Sequence, residues 1–203
     1  MHRIGAVVLA AGASERFGAE NKLLVKIGGV PLIRSVVLAI FGSGIVEVVV
    51  VTGFDDAGIS SALNGLPARY AHNKEWRSGM GTSVATGIAA LSGGIDGAFV
   101  VPGDLPRLSS RLLSRLASAF EEGGRRVTVF PVTADGDQRN PVLWPQSYFD
   151  SLMKLHGNQG AKALLRPATL ECHAVETEDQ ASLEDIDTRQ DLQRMRRTPT
   201  ALP

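Results

Sequence analysis

Two cations, Arg16 and Lys22, stand six residues apart in the run VVLAAGASERFGAENK at positions 7–22. Small residues surround them: Ala10, Ala11 and Gly12 end an apolar β-type run that begins at Ile4, and Ser14 and Gly18 continue the loop. Small side chains let backbone N–H groups approach a bound group, and two fixed cations mark that group as anionic. A glycine-rich loop with basic residues after a first strand reads as a phosphate cradle. The plainer alternative is a β–α loop with two solvated cations.

A second set of charges is acidic. Asp104 follows an apolar run in Pro102-Gly103-Asp104-Leu105-Pro106, and Asp185 and Asp187 lie in Glu184-Asp185-Ile186-Asp187-Thr188. Magnesium, a hard cation, commonly takes one or two carboxylates and lets substrate phosphates complete its shell. Each acid also has a plainer reading. A lone Pro-Gly-Asp makes a turn, and Asp187 or Thr188 could simply cap the last helix.

Spacing excludes two better-known cradles. The P-loop needs G-x-x-x-x-G-K-[ST], but Gly18 is followed by Ala19 and Glu20. The dinucleotide fingerprint G-x-G-x-x-G fails because Gly12 is followed by Ala13 and Ser14, and Gly79-Met80-Gly81 continues to Val84 where a third glycine belongs. Acyl transfer has no G-x-S-x-G elbow to rest on. The histidines are scattered, and no zinc-type Cys/His spacing occurs.

The elements that must position these charges follow from the pattern. Strands are expected at 4–10, 46–52, 68–72, 98–101, 127–132, 141–144 and 170–175. Helices are expected at 31–41, 56–63, 81–91, 110–121, 147–155, 161–165 and 188–196. The runs VEVVVV and GAFVV are apolar without alternation, as in parallel strands covered on both faces. Pro31 in a first turn and Ser109 or Ser110 as caps support two helix starts. The expected fold class is α/β: a doubly wound, mostly parallel sheet flanked by helices, a three-layer sandwich. Such sheets bind ligands at the carboxyl ends of their strands, so the loops from Gly12, Gly53, Asn73, Pro102 and Thr133 should carry the chemistry.

Composition narrows the class. The 203 residues suit one domain over 1–203, with a core at about 4–192 and a flexible tail from 194. Charged residues are 21% and hydrophobic residues 44%, ordinary for a soluble globular protein. With 21 basic and 21 acidic residues, general attraction to nucleic acid or an anionic membrane has no support. No membrane-span-length apolar run and no signal peptide are read, and the single Cys172, expected buried and inert, fits a reducing cytoplasm.

The pattern L-A-A-G-x-S-x-R-F-G-x(3)-K, with Leu9, Ala10, Ala11, Gly12, Ser14, Arg16, Phe17, Gly18 and Lys22 in place, resembles the signature loop of the MobA-like nucleotidyltransferases. Within that family it is most similar to the molybdenum cofactor cytidylyltransferases. The resemblance runs from about 4 to 192 and implies a Rossmann-like nucleotidyltransferase fold. It also implies transfer of CMP from CTP to the terminal phosphate of molybdenum cofactor (molybdopterin), with release of pyrophosphate. Leu9, Ala10, Ala11, Gly12, Ser14, Arg16 and Lys22 would bind the nucleotide, and Ala11 favours CTP because LAAG accompanies cytidine in the family where LAGG accompanies guanosine. Arg16, Lys22 and Asp104 would be catalytic. Asp104, in the family's G-D-x-P, would hold Mg2+ on the nucleotide phosphates. Asp187 would be a second ligand, in a D-I-D-T-x-x-D-L pattern matched by Asp185, Ile186, Asp187, Thr188, Asp191 and Leu192.

The family's N-x-x-W-x-x-G-M-G-x-S stretch is reproduced at Asn73, Trp76, Gly79, Met80, Gly81 and Ser83, which assigns Gly79, Gly81 and Ser83 to the base and ribose pocket. The bland reading there is a helix cap at Thr82 or Ser83 with Trp76 as packing. Two acceptor segments depart from the family pattern. R-G-x-P becomes Arg139-Asn140-Pro141, and G-D-x-G-A-R becomes Gly157-Asn158-Gln159-Gly160-Ala161-Lys162. Arg139, Asn140, Asn158 and Lys162 are the expected acceptor contacts, and the departures leave the acceptor open. Three rivals stand beside this reading: another phosphorylated acceptor, a GTP-using branch, and a non-catalytic carrier that hands molybdenum cofactor to an oxidoreductase. In either the enzyme or the carrier reading, a molybdenum hydroxylase or its maturation factor is an expected partner.

Overall fold

The computed structural model describes residues 3–18, 20–165, 171–177 and 179–197. The strands are β1 (Ile4–Ala10), β2 (Lys26–Ile27), β3 (Val30–Pro31), β4 (Glu47–Thr52), β5 (Arg69–His72), β6 (Gly97–Pro102), β7 (Thr128–Val132), β8 (Val142–Pro145) and β9 (Cys172–Glu176). The α-helices are α1 (Leu32–Gly42), α2 (Asp56–Ala62), α3 (Met80–Ala89), α4 (Ser110–Glu122), α5 (Phe149–Met153) and α6 (Arg189–Arg197). One seven-stranded sheet has the order β5-β4-β1-β6-β8-β7-β9. Only β8 runs against its neighbours, antiparallel to both β6 and β7. The expected mostly parallel, helix-flanked sheet is what the chain forms.

Strand β1 shows why both faces are covered. Ile4, Ala6, Val8 and Ala10 point into a core with Ile33, Val37 and Ile40 of α1 and Leu113, Leu116 and Phe120 of α4. Val7 points the other way, into a core with Val84 and Ile88 of α3 and Leu152 of α5. Alternate side chains of one strand thus feed two apolar layers, and a fully buried Val or Ile contributes about 1.5–3 kcal/mol by leaving water. Helix α3 lies close on the sheet through Gly87, where an added Cβ would sit 2.1 Å from Val7 Cγ1.

The local signals mostly hold. Pro31 precedes α1 directly, and the Ser109 hydroxyl caps α4 by accepting from Leu112 N at 3.2 Å. The β2–β3 hairpin escaped the sequence reading, although Gly28 and Gly29 both take positive φ, as a two-residue primed turn requires. The expected helix at 147–155 is a 3-10 turn at Gln146–Tyr148 followed by the short α5, and Ala161–Leu165 is a 3-10 turn. Cys172 is exposed, not buried. It lies on β9, the sheet's edge, and a strand-like run does not tell edge from centre. Partial desolvation still raises its thiol pKa, so it stays protonated. Leu170, the expected start of that strand, lies outside the described residues, as do 198–203 of the expected tail; α6 itself runs on to Arg197. Among the described residues no helix is long and apolar enough to cross a membrane.

Candidate functional site

Four charged residues from three distant stretches meet at the carboxyl ends of β1 and β6. Lys22 Nζ lies 2.6 Å from Asp104 Oδ2 and 3.0 Å from Asp187 Oδ1, and Arg16 Nη1 lies 2.9 Å from Asp187 Oδ2. Each charge is next in sequence to a buried apolar residue: Arg16 to Phe17, Lys22 to Leu23, Asp104 to Leu105 and Asp187 to Ile186. The apolar neighbour goes into the core, which turns the charged side chain outward onto the shared point. The strands bring the rest together. Gly103 N donates to Leu9 O, and Ile186 N donates to Asp104 O.

The loop after β1 is built as a frame for the two cations. Ser14 takes a left-handed φ of 55°, unusual for a residue with a side chain. Its hydroxyl accepts from Lys22 N at 3.3 Å and reaches Asn21 Oδ1. Asn21 is buried, caps the turn at Lys22–Leu24 by accepting from Leu23 N, and donates to Asp55 Oδ2. Arg189 at the start of α6 holds the loop from outside, donating from Nε to Phe17 O at 3.1 Å and lying over the Phe17 ring. Ala11 O accepts from Phe54 N, whereas Gly12 faces open space, with nothing within 4 Å of an added Cβ. The sequence reading did not assign Asn21, Asp55 or Arg189. Asn21 carried a usable signal, a capping residue just before an apolar pair.

The question of Asp187 as a cap is resolved by its neighbour. Thr188 Oγ1 accepts from Asp191 N while Asp191 Oδ2 accepts from Thr188 N, a reciprocal capping box. Asp187 is therefore left to face Lys22 and Arg16. These contacts and Arg194 hold the Asp191 carboxyl at a pKa of about 2.

Charge and burial set the chemistry of the centre. Partial burial lowers the Lys22 pKa, but Asp104 and Asp187 outweigh it and hold the ammonium charged. Burial pushes the Asp104 carboxyl above the usual carboxylate range, Asp185 adds to the push, and Lys22 pulls against it. The pair is seen from its two ends: Lys22 keeps its charge, and Asp104 returns part of the gain to desolvation. Asp104 and Asp187 converge on one cationic atom, so two hard oxygen donors close on a single point, with Asp104 on its enclosed side and the more exposed Asp187 toward the cleft. That donor set suits Mg2+ or Mn2+ with phosphate oxygens supplying other ligands. Among the described residues no group of three or more His, Cys, Asp or Glu converges.

The other expected contacts divide. Arg139, Asn140 and Lys162 line one cleft of about 760 Å³ together with Asp185 and Asp187. Asn158 is not among that cleft's lining residues; it sits against the start of α3, its Oδ1 2.6 Å from where a Gly79 Cβ would lie. The close approach that Gly79 and Gly81 permit is to the chain's own 156–159 loop, and Gly81 N donates to Gly157 O. Ser83 is buried, and Asn73 Nδ2 donates to both its hydroxyl and that of Thr82. This stretch therefore braces the loop ahead of α3. Trp76 packs at its edge, 5.5 Å from the Phe54 ring centroid and under the Arg77 guanidinium.

Known proteins resemble this chain in sequence and fold. A family model described as the MobA-like NTP transferase domain covers residues 6–176. Purine catabolism protein PucB of Bacillus subtilis is 30% identical over 94% of this chain and 95% of its own length. Nicotine blue oxidoreductase of Paenarthrobacter nicotinovorans is 27% identical over 93% and 94%. Bifunctional protein GlmU of Agrobacterium fabrum is 36% identical over 58% of this chain, and the match spans only 26% of GlmU. Among solved structures, a nucleotidyl transferase from Methanothermobacter thermautotroptrophicus (Mth528) superposes with a TM-score of 0.81 at 25% identity over 96% of each chain. Rv0371c from Mycobacterium tuberculosis, in complex with manganese, gives a TM-score of 0.80 at 20% identity over 97% of this chain and all of its own. The chain belongs to the MobA-like NTP transferase family.

Proposed function

We propose that this protein is a divalent-metal-dependent nucleotidyltransferase that moves CMP from CTP to the terminal phosphate of molybdenum cofactor and releases pyrophosphate. The observation that carries the reading is the convergence of Arg16, Lys22, Asp104 and Asp187, with the open backbone of Gly12 in the same loop as the two cations. Two cations on a phosphate-sized loop, facing two carboxylates across the strand ends, are a set for aligning a triphosphate.

In this reaction an acceptor phosphate oxygen forms a bond to the α-phosphorus as the bond to the bridging α–β oxygen breaks. The electron pair leaves with pyrophosphate. The attacking oxygen is already anionic, so no general base is required, and alignment with charge neutralisation does the catalysis. Arg16 and Lys22 hold the triphosphate and offset the charge that builds on the leaving group. Asp104 and Asp187 would hold the divalent cation, which when bound supplies further neutralisation of phosphate oxygens. Magnesium is the proposed ion, and the manganese in the Rv0371c structure supports a divalent ion at this fold. Arg139, Asn140 and Lys162 offer the acceptor its polar contacts, and Ala11 favours cytidine.

The relative named as an oxidoreductase raises a hydride-transfer reading, and no G-x-G-x-x-G cradle for a dinucleotide exists in this sequence. Pyrophosphate release should be measured with each NTP and magnesium, with and without molybdenum cofactor. The proposal predicts release that needs the cofactor and is fastest with CTP, and CTP should raise the melting temperature most. Fastest release with GTP would move the protein to the guanylyl branch. Cofactor binding without pyrophosphate release from any NTP would make it a carrier, serving a molybdenum hydroxylase or its maturation factor.

A further inference from the structure

The centre is already neutral in its charges. The Lys22 ammonium bridges Asp104 and Asp187, and Arg16 takes the second oxygen of Asp187. We propose that Lys22 is the resident cation of the Asp104–Asp187 pair, so that nucleotide and divalent metal enter together by exchanging partners with it. The inference rests on the nucleotidyltransferase reading and adds an order of binding to it.

The argument is electrostatic and geometric. A divalent ion arriving alone must sit on two carboxylates that already hold an ammonium within 3.0 Å. It either meets that like charge at close range or must expel it into solvent, breaking both ion pairs. A triphosphate arriving alone has the mirror-image difficulty. Its oxygens reach for Arg16 and Lys22 while Asp104 and Asp187 repel them from the same spot. When both arrive, each obstacle becomes a partner. Lys22 and Arg16 pass from carboxylate to phosphate, and the freed carboxylates take the metal.

The fold permits the exchange at small cost. Leu23 and Phe17 are buried and fix the backbone on either side of the moving groups. Only the ends of two long side chains travel. The Lys22 side chain is 15% exposed and carries a compact charge on a flexible four-carbon stem, whereas the Arg16 side chain is 76% exposed and already in solvent. Asp104 is the more enclosed acid, 17% exposed against 35% for Asp187, so it is the ligand that gains most from a replacement cation.

The test measures Mn2+ binding to the intact protein by electron paramagnetic resonance, with and without the inert analogue α,β-methylene-CTP. The wild type should bind Mn2+ alone weakly and bind it about ten-fold or more tightly with the analogue present. Mn2+ should tighten the analogue by the same factor, because coupling is reciprocal. Lys22→Gln should bind Mn2+ alone about ten-fold more tightly than the wild type does. Because that variant takes the ammonium from Asp104 and leaves Asp187 with Arg16, a wild-type measurement stands beside it: the Lys22 15Nζ resonance should shift when Mg2+ and analogue are added together, and hardly at all with Mg2+ alone. Equal Mn2+ affinity with and without analogue, no tightening in Lys22→Gln, or a full 15Nζ shift with Mg2+ alone would each overturn the exchange. An analogue that fails to bind under any condition would overturn the nucleotidyltransferase reading, while Mn2+ on Lys22→Gln still decides whether lysine guards the carboxylates.

Discussion

The two halves of the sheet are built differently, and the difference separates what is fixed in this protein from what is variable. On one side, β5, β4, β1 and β6 are all parallel, β1 and the middle of β4 are apolar, and the four charges of the centre each stand next to a buried apolar residue. On the other side, β8 runs antiparallel, β9 is an exposed edge, and Arg139 stands on a loop without such an anchor, while Lys162 lies in the short 3-10 turn at Ala161–Leu165 beside Ala161, a far smaller anchor than Phe17 or Leu23. The first half holds its charges in ion pairs at 2.6–3.0 Å. Arg139 in the second has an exposed pairing with Asp137 at 3.4 Å, of the kind that contributes little to stability. Phosphate chemistry common to all substrates of a family needs a rigid frame. Recognition of an acceptor tolerates loops, where sequence can change without disturbing the core.

If the contrast is right, the largest effects come from the anchored half. Lys22→Ala and Asp104→Ala should each slow pyrophosphate release about 10²-fold or more, as loss of one preorganised charge contact does. Both variants should keep the wild-type circular dichroism spectrum. Near-wild-type turnover in either would break the assignment of the centre.

Phe17→Ala tests the anchor rather than the charge. Phe17 is 2% exposed inside the core beneath α1 and under Arg189, so the change should cost about 3–5 kcal/mol of stability. Thermal unfolding would reveal it. A loss below about 1 kcal/mol, at the low end for core truncations, would mean that the loop is held by its polar frame alone.

The loops should respond in smaller and divided ways. Lys162→Ala should raise KM for the acceptor several-fold and leave KM for CTP nearly unchanged. Asn158→Ala should do the reverse, because Asn158 abuts Gly79 ahead of α3 instead of lining the cleft with Lys162. If the two variants behave alike, one acceptor surface spans both segments.

The smallest effect is at the cap of α6. The folded Asp191 carboxyl has a pKa of about 2 against an ordinary 3.8. A depressed folded-state pKa gives stability that is present above pH ~4 and lost as pH falls toward 2. Asp191→Ala should cost about 1 kcal/mol at neutral pH, as cap removal does, and the variant should lose less stability than the wild type on acidification from pH 4 to 2. Parallel acid transitions in the two proteins would contradict the capping role.

The same contrast explains how legible the sequence is. Strands β1 and β6 and the middle of β4 announce themselves because a segment buried on both faces must be apolar, and β1 is found at the residues expected for it. The pairs Arg16-Phe17 and Lys22-Leu23 are visible as a charge beside an apolar anchor. What pairing alone cannot show is that Asp187 faces Lys22 across 165 positions of sequence. Nor does it show that Thr188 and Asp191 cap the helix together, leaving Asp187 out. The meaning of Gly79 and Gly81 was also hidden. A glycine signals close approach, but only the fold shows that the approaching partner is the chain's own 156–159 loop. Cys172 was misplaced for a related reason, since burial of a strand depends on its place in the sheet.

The central claim is that these four charges align a triphosphate for transfer of its nucleotidyl group. It is tested most directly by incubating the purified protein with [α-32P]CTP, Mg2+ and molybdenum cofactor, then asking where the label goes. The account predicts label on the cofactor in equal measure with the pyrophosphate released, and little label with Lys22→Ala. Unlabelled cofactor, or labelling that persists undiminished in Lys22→Ala, would contradict it.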